Sequence, residues 1–399
     1  LGPNPFLGVI FHWIGGFCSA TNFIPFRRIK RWSWEVYWPI QGFAAWIIAP
    51  TLLATIFIPN AYGILRDTYA TNPKDVFYAF LFGVLWGVGG ITFGLAIRYL
   101  GIALGYAIAL GLCAFFGTLV PPFVHRIPPT YQREIAIMLH QTSGQIILLG
   151  VLVCLIGVAV NGAAGYSKEN EITPEEKLEA GERDYNFGKG IAIAILAGLM
   201  SSFFAFGLAA GKPIGDLTAT RLIAAGMTGR LVLKNLPILI VVLWGGFFTN
   251  FIWSAILIFQ NGSVRQFFGQ PGINPMRAAA TSGDTLVDFD PLDASTYDRL
   301  APATLFSNYI FAGMAGVIWY FQFFFYSMGQ TKMGKYDFSS WTLHMASIII
   351  FATLWGLVLR EWHGTSMRTK LLVTCGLLLL VGSTVIVGYG NYIHAVFGT

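Results

Sequence analysis

GVIWYFQFFFYSMGQTKMGKYDFSSWTLHMASIIIFATLWGLVLREW, residues 316–362, decides how this chain is read. It contains two apolar segments, each long enough to cross a bilayer core of about 30 Å at roughly 20 residues per helix. A short turn carrying Lys332, Lys335 and Asp337 joins them. Polar side chains lie inside both segments: Gln322 in the first, His344 in the second, and Asp337 at the start of the second. Such groups are costly in hydrocarbon, so they are expected to face a bundle interior or a wet cavity.

The pattern of the hairpin extends through the chain. Of 399 residues, 55% are hydrophobic and only 11% charged, with a mean hydropathy of +0.63. A soluble surface needs about 25% charged residues, so the class is an all-α integral membrane protein. Ten transmembrane helices are expected, near 6–25, 37–58, 76–98, 102–121, 143–163, 189–210, 236–259, 303–328, 338–359 and 370–392. The net charge of +6 is spread over many loops, which fits lipid headgroups as partners and not nucleic acid. Cys18, Cys113, Cys154 and Cys375 stand in apolar stretches without a CxxC, so neither a disulfide framework nor a metal site is expected. Walker, GxSxG and HExxH motifs are missing, which argues against an ATP-driven pump or a hydrolase. A carrier driven by a gradient remains, with no cofactor beyond a coupling ion. Intramembrane Asp, Glu and His are the usual proton relays, so H+ is preferred to Na+.

Two connections are long. Residues 164–188 form an acidic linker, and 260–302 read as an irregular extramembrane loop. The linker divides the spans into halves, 1–163 and 189–399. Gly83-Val84-Leu85-Trp86 in span three answers Gly316-Val317-Ile318-Trp319 in span eight, and Gly8, Gly16 and Ser19 match Gly190, Gly198 and Ser201. An odd number of spans in each half makes the repeats inverted, with the site expected near the midplane between them. Lys and Arg favour the loops after odd spans, beginning with Arg27, Arg28, Lys30 and Arg31. By the positive-inside rule the first loop is then cytoplasmic.

Candidate site residues follow from helical spacing. Trp319, Gln322, Phe323 and Tyr326 share one face, an amide within aromatic planes that suits the C–H faces and hydroxyl rim of a sugar. Asp337, Trp341 and His344 share another, and could bracket one ligand or a water chain. Asp337 also suits a helix N-cap, and the Phe323–Phe325 run also suits plain helix packing. His12 and Gln41 sit on small-residue faces in spans one and two; Asn250 with Trp253 makes a similar pair in span seven. Substrate contact is therefore assigned to His12, Gln41, Trp319, Gln322, Trp341 and His344, and proton coupling to Asp337 and His344. Glu35 and Glu361, beside tryptophans and near basic residues, read as salt bridges or interfacial anchors, and Asn391 and His394 as interfacial.

PFRRIKRWSWE (25–35), FGVLWGVGGITFGLAIRYLG (82–101), WYFQFFFYSMG (319–329) and YDFSSWTLHM (336–345) resemble the L-rhamnose–proton symporter family of the drug/metabolite transporter superfamily. The likeness runs from about residue 6 to 392, departing from the family's pattern in 260–302 and in the acidic linker. The resemblance implies uptake of L-rhamnose with a proton by alternating access, in a multi-pass protein of the bacterial inner membrane acting as a monomer. A metabolite or nucleotide-sugar exchanger of the same fold is the alternative, although no Lys or Arg stands mid-span to bind an anion. An intramembrane enzyme would have only Asp337 with His344 or His12 to work with, so no enzymatic activity is expected.

Overall fold

In hydrocarbon a backbone must satisfy its own N–H and C=O groups, so apolar runs of this length become helices. The computed structural model describes residues 2–100, 102–119, 138–171, 187–273, 298–334, 339–360 and 362–398. Asp337, Glu361, most of the acidic linker and the middle of the 260–302 segment lie outside the described residues.

Helices α1 (Pro5–Thr21) and α2 (Trp34–Phe57) precede a short helix α3 (Ala61–Thr71). Then come α4 (Pro73–Leu100), α5 (Ile102–Leu119), α6 (Thr142–Glu171) and α7 (Phe187–Ala210). A second short helix, α8 (Lys212–Ala224), leads to α9 (Leu236–Asn261). The chain closes with α10 (Pro302–Gln330), α11 (Ser339–Val358) and α12 (Met367–Phe397). Among the described residues, nine segments are long and apolar enough to cross a membrane, and α5 is a further apolar helix.

The structure departs from the sequence reading at four places. Residues 61–71 and 212–224, between the expected spans, are helices; their polar faces kept them below the hydropathy of a span. They lie side by side, joined by an ion pair between Asp67 and Arg221. Helix α6 continues beyond the expected residue 163 to Glu171. Residues 263–268 of the long loop form a 3₁₀ turn folded against the start of α2.

Helix α1 packs on α10 and α11, while α7 packs on α4 and α5. Helix α6 runs along α12, and α9 lies against α2 and α4. The start of α1 and the end of α12 reach the same end of the bundle: Asn4 N–H donates to the Lys332 carbonyl at 2.9 Å, and Asn391 Nδ2 donates to Ser339 Oγ at 3.1 Å. Asn391 is thus buried within the bundle, not interfacial. Helix α2 is irregular. It holds Pro39 and Pro50, and between them residues Phe43–Ile48 widen into a π turn. Proline lacks the N–H that continues the ladder, and the widened turn re-aims Trp46 toward the interior, where it is 3% exposed.

Candidate functional site

The polar residues of α1, α10 and α11 converge. His12, about 10 Å along α1 from its start at 1.5 Å per residue, is fully buried, as is His344 on α11. Their ring centroids are 6.4 Å apart, and Tyr326 of α10 lies 5.3 Å from His12 and 5.1 Å from His344. Trp341 and Phe323 complete the wall at 6.3 and 5.7 Å from His344. Gln322, one helical turn before Tyr326, is buried on the same helix.

Small residues let the three helices come this close. A Cβ on Gly16 would stand 2.6 Å from the Ser347 backbone, and one on Gly329 would stand 2.8 Å from the His12 ring. Gly15 separates the Gln322 backbone from the His344 ring in the same way. Ser347 Oγ donates to the His12 carbonyl at 2.9 Å, fixing α1 to α11 just below the imidazoles.

The side chains in this cluster are polar without being satisfied. Both nitrogens of His12, both of His344 and Nε2 of Gln322 are buried with no hydrogen-bond partner in the protein. Native structures pair about 90% or more of such atoms, and each orphan costs about 1–3 kcal/mol. Orphans occur elsewhere, at Tyr37 and Tyr320 for example, but not gathered between facing rings. Among the described residues its ring contacts involve no Lys, Arg, Asp or Glu; Lys332 is buried next to it, against Gly8 one turn before His12.

Trp319 and Gln41 belong to an adjoining group. Trp319, Trp46 and Trp86 form a triangle with centroids 5.6–5.8 Å apart, joined to the histidine cluster through Phe323, 5.2 Å from Trp319. Phe204 of α7 stacks on Phe323 at 3.8 Å and lies near Trp341 at 5.9 Å. Gln41 is buried on α2, its backbone carbonyl against Gly316 and its Oε1 without a partner. Asn250 is bonded to Trp38, not Trp253: Trp38 Nε1 donates to its Oδ1 at 3.2 Å, and its Nδ2 donates to the Gly246 and Gly87 carbonyls. Trp253 lies on the outer surface.

Trp46, Trp86 and Phe204 escaped the sequence reading. The one available signal was the pairing of the Trp86 and Trp319 strings, whose rings meet at 5.7 Å with their planes tilted by 34°. Glu35 is also placed differently: it is fully buried, and Asn261 and Ser263 bond its Oε1 in place of a cation. A groove of about 670 Å³ lies away from all these residues, between α3, α4 and α9. Its lining of Tyr62, Leu65, Phe77 and Trp244 suits lipid chains, not a polar ligand.

A profile of the L-rhamnose-proton symport protein (RhaT) family matches residues 4–271 and 286–392. The match passes through the acidic linker and breaks only between residues 271 and 286, so the departure from the family is narrower than the sequence reading held. Proteins named L-rhamnose-proton symporter, from Klebsiella pneumoniae subsp. pneumoniae and from Salmonella paratyphi B, are each 30% identical over 387 residues, covering 96% of this chain and 97% of theirs. No solved structure matches the chain. Coverage of nearly the whole length by both measures places the chain in the L-rhamnose-proton symport protein family, within the drug/metabolite transporters.

Proposed function

We propose that this protein carries L-rhamnose, or a closely related monosaccharide, together with a proton across the bacterial inner membrane by alternating access. The observation that carries the site is the group of five orphaned polar atoms on His12, His344 and Gln322 within an aromatic shell. A neutral sugar supplies what this group lacks. Its hydroxyls both donate and accept, and its C–H faces stack on Trp341, Phe323 and Tyr326. An anionic metabolite would need a cation here.

The substrate set is His12, Gln322, Trp341 and His344, with Trp319 and Gln41 on the adjoining wall. The rings are packed against one another, so the sugar enters when α1, α10 and α11 part. His344 is the proton carrier nearest the sugar, and Asp337, five residues before Thr342, is proposed to relay protons to it. Two five-helix halves, 1–163 and 189–399, joined by the 164–188 linker, account for the packing. Exchanging spans one to five with six to ten turns the contacts of α1 with α10 and α11 into those of α7 with α4 and α5. Trp86 and Trp319 then mark the axis between ten inverted-repeat helices, acting as a monomer.

The test uses protein reconstituted into vesicles. External L-rhamnose should acidify the lumen in the absence of sodium. Sugar uptake without proton movement, or uptake that needs sodium, would refute the reading.

A further inference from the structure

We propose that Glu35 is a proton-binding residue of the transport cycle, and that its proton state controls the contact between the start of α2 and the end of α9. This rests on the proton-coupled reading above and assigns part of it to a site on α2 and α9, not on the helices that carry the histidines.

Glu35 stands in the first turn of α2 and is fully buried. Its Oε1 accepts from Asn261 Nδ2 at 2.9 Å and from Ser263 Oγ at 2.7 Å, while its Oε2 is buried with no partner. Asn261 is the last residue of α9 and Ser263 opens the 3₁₀ turn that follows. The seam continues next door. Ser33 N–H donates to Gln266 Oε1 at 2.8 Å, and Trp32 Nε1 donates to the Gln266 carbonyl at 2.9 Å.

The charged and titratable groups around this pocket look elsewhere. Helix α9 has none. On the 3₁₀ turn, Arg265 is exposed and bonded to Gln270; on α10, the Tyr309 hydroxyl donates to the Phe267 carbonyl. Arg27, Arg28 and Lys30, before α2, are exposed, and Arg31 is half-buried. Tyr37, on α2 itself, packs on Phe26. Among the described residues no cation lies within 4.0 Å of the Glu35 carboxyl.

A carboxylate kept only as an anchor is expected to have a cation or a full set of donors, because burying an uncompensated charge is costly. Glu35 has neither. Its idle oxygen is a place for a proton, and adding one turns an acceptor into a donor, changing what the α2–α9 seam can bond. The same two helices meet again deeper, through Trp38 and Asn250. A change at Glu35 thus reaches the tryptophan triangle along one helix pair.

Glu35→Gln keeps the acceptor for Asn261 and Ser263 and removes titration. In vesicles its L-rhamnose-driven proton uptake should fall about tenfold relative to its own sugar counterflow, as expected for loss of an intramembrane proton site. An unchanged ratio overturns the assignment. Ser263→Ala keeps the carboxyl and removes one hydrogen bond to its Oε1, so the same ratio of proton uptake to counterflow should change by about twofold or more. An unchanged ratio in Ser263→Ala overturns the assignment even if Glu35→Gln fails to fold. Absence of L-rhamnose-driven proton movement in the wild type would instead refute the symport reading itself.

Discussion

Two of the polar groups in the interior of this bundle are built on opposite plans. Around Asn250, every bond closes: the amide takes the Trp38 N–H and gives its own hydrogens to the Gly246 and Gly87 carbonyls. Around His12 and His344, four imidazole nitrogens have no protein partner. The first arrangement holds α2, α4 and α9 together. The second spends stability, and in a carrier such a group is explained by the ligand that completes it. The bonded group reads as part of the frame, and the orphaned group as the proposed site.

The strongest way to break this comparison is to remove an imidazole. His344→Ala or His12→Ala should lower the apparent affinity for L-rhamnose roughly 10- to 100-fold, the worth of a buried hydrogen bond of about 1.5–3 kcal/mol. The melting temperature of purified protein should fall only through the ring packing lost, since the imidazole has no hydrogen bond to lose. Radiolabelled uptake and a melting curve read the two effects separately. Wild-type affinity in both variants would remove the histidines from the site.

The converse applies to Asn250→Ala. The variant should lose about 1–3 kcal/mol of stability through stranded Trp38 and carbonyl groups, with sugar affinity changed less than about twofold, within the range of a change away from the site. An affinity loss exceeding the loss of stability would merge the two groups into one. Glycines sharpen the contrast. Gly16→Ala meets the Ser347 backbone at 2.6 Å and should destabilise the α1–α11 seam by about 1–3 kcal/mol. Gly90→Ala meets Asn250 only at 3.8 Å and should be close to neutral.

The smallest effect belongs to Glu171, an exposed counterpart to Glu35. Hydrogen bonds from the Ser366 and Thr369 hydroxyls, then from the Ser366 N–H, push its carboxyl down to about 2. Because the folded value lies below the ordinary 4.5, the stabilisation is fully present above that pH and disappears as pH falls through about 2. Glu171→Gln should therefore melt slightly earlier than wild type at pH 7 and no earlier near pH 2, with transport at neutral pH retained. A difference that grows on acidification would contradict this bonding.

Much of this candidate site was legible from spacing alone. Gln322 and Tyr326, and Trp341 and His344, stand on shared faces that no lipid-facing helix would tolerate, and His12 sits between small residues that invite close packing. Partners remote along the chain were not legible. Nothing local ties Phe204 to Phe323, and nothing near Glu35 points to Asn261, 226 residues away. The basic run before Glu35 suggested a salt bridge, yet Arg27, Arg28 and Lys30 turn outward. Short helices 61–71 and 212–224 were hidden for a different reason. Their polar faces lower the mean hydropathy, although their helical character is secured by capping at Asn60 and by the proline that opens α8.

Ligand-induced stabilisation tests the central claim most directly. A ligand at 100 times its Kd raises stability by about 2.7 kcal/mol, enough to read as a shift in melting temperature. Wild type and Asn250→Ala should be shifted upward by L-rhamnose to a similar extent, although Asn250→Ala starts lower. His344→Ala should show little or no shift at the same concentration. A full shift in His344→Ala would place the sugar elsewhere and contradict the account.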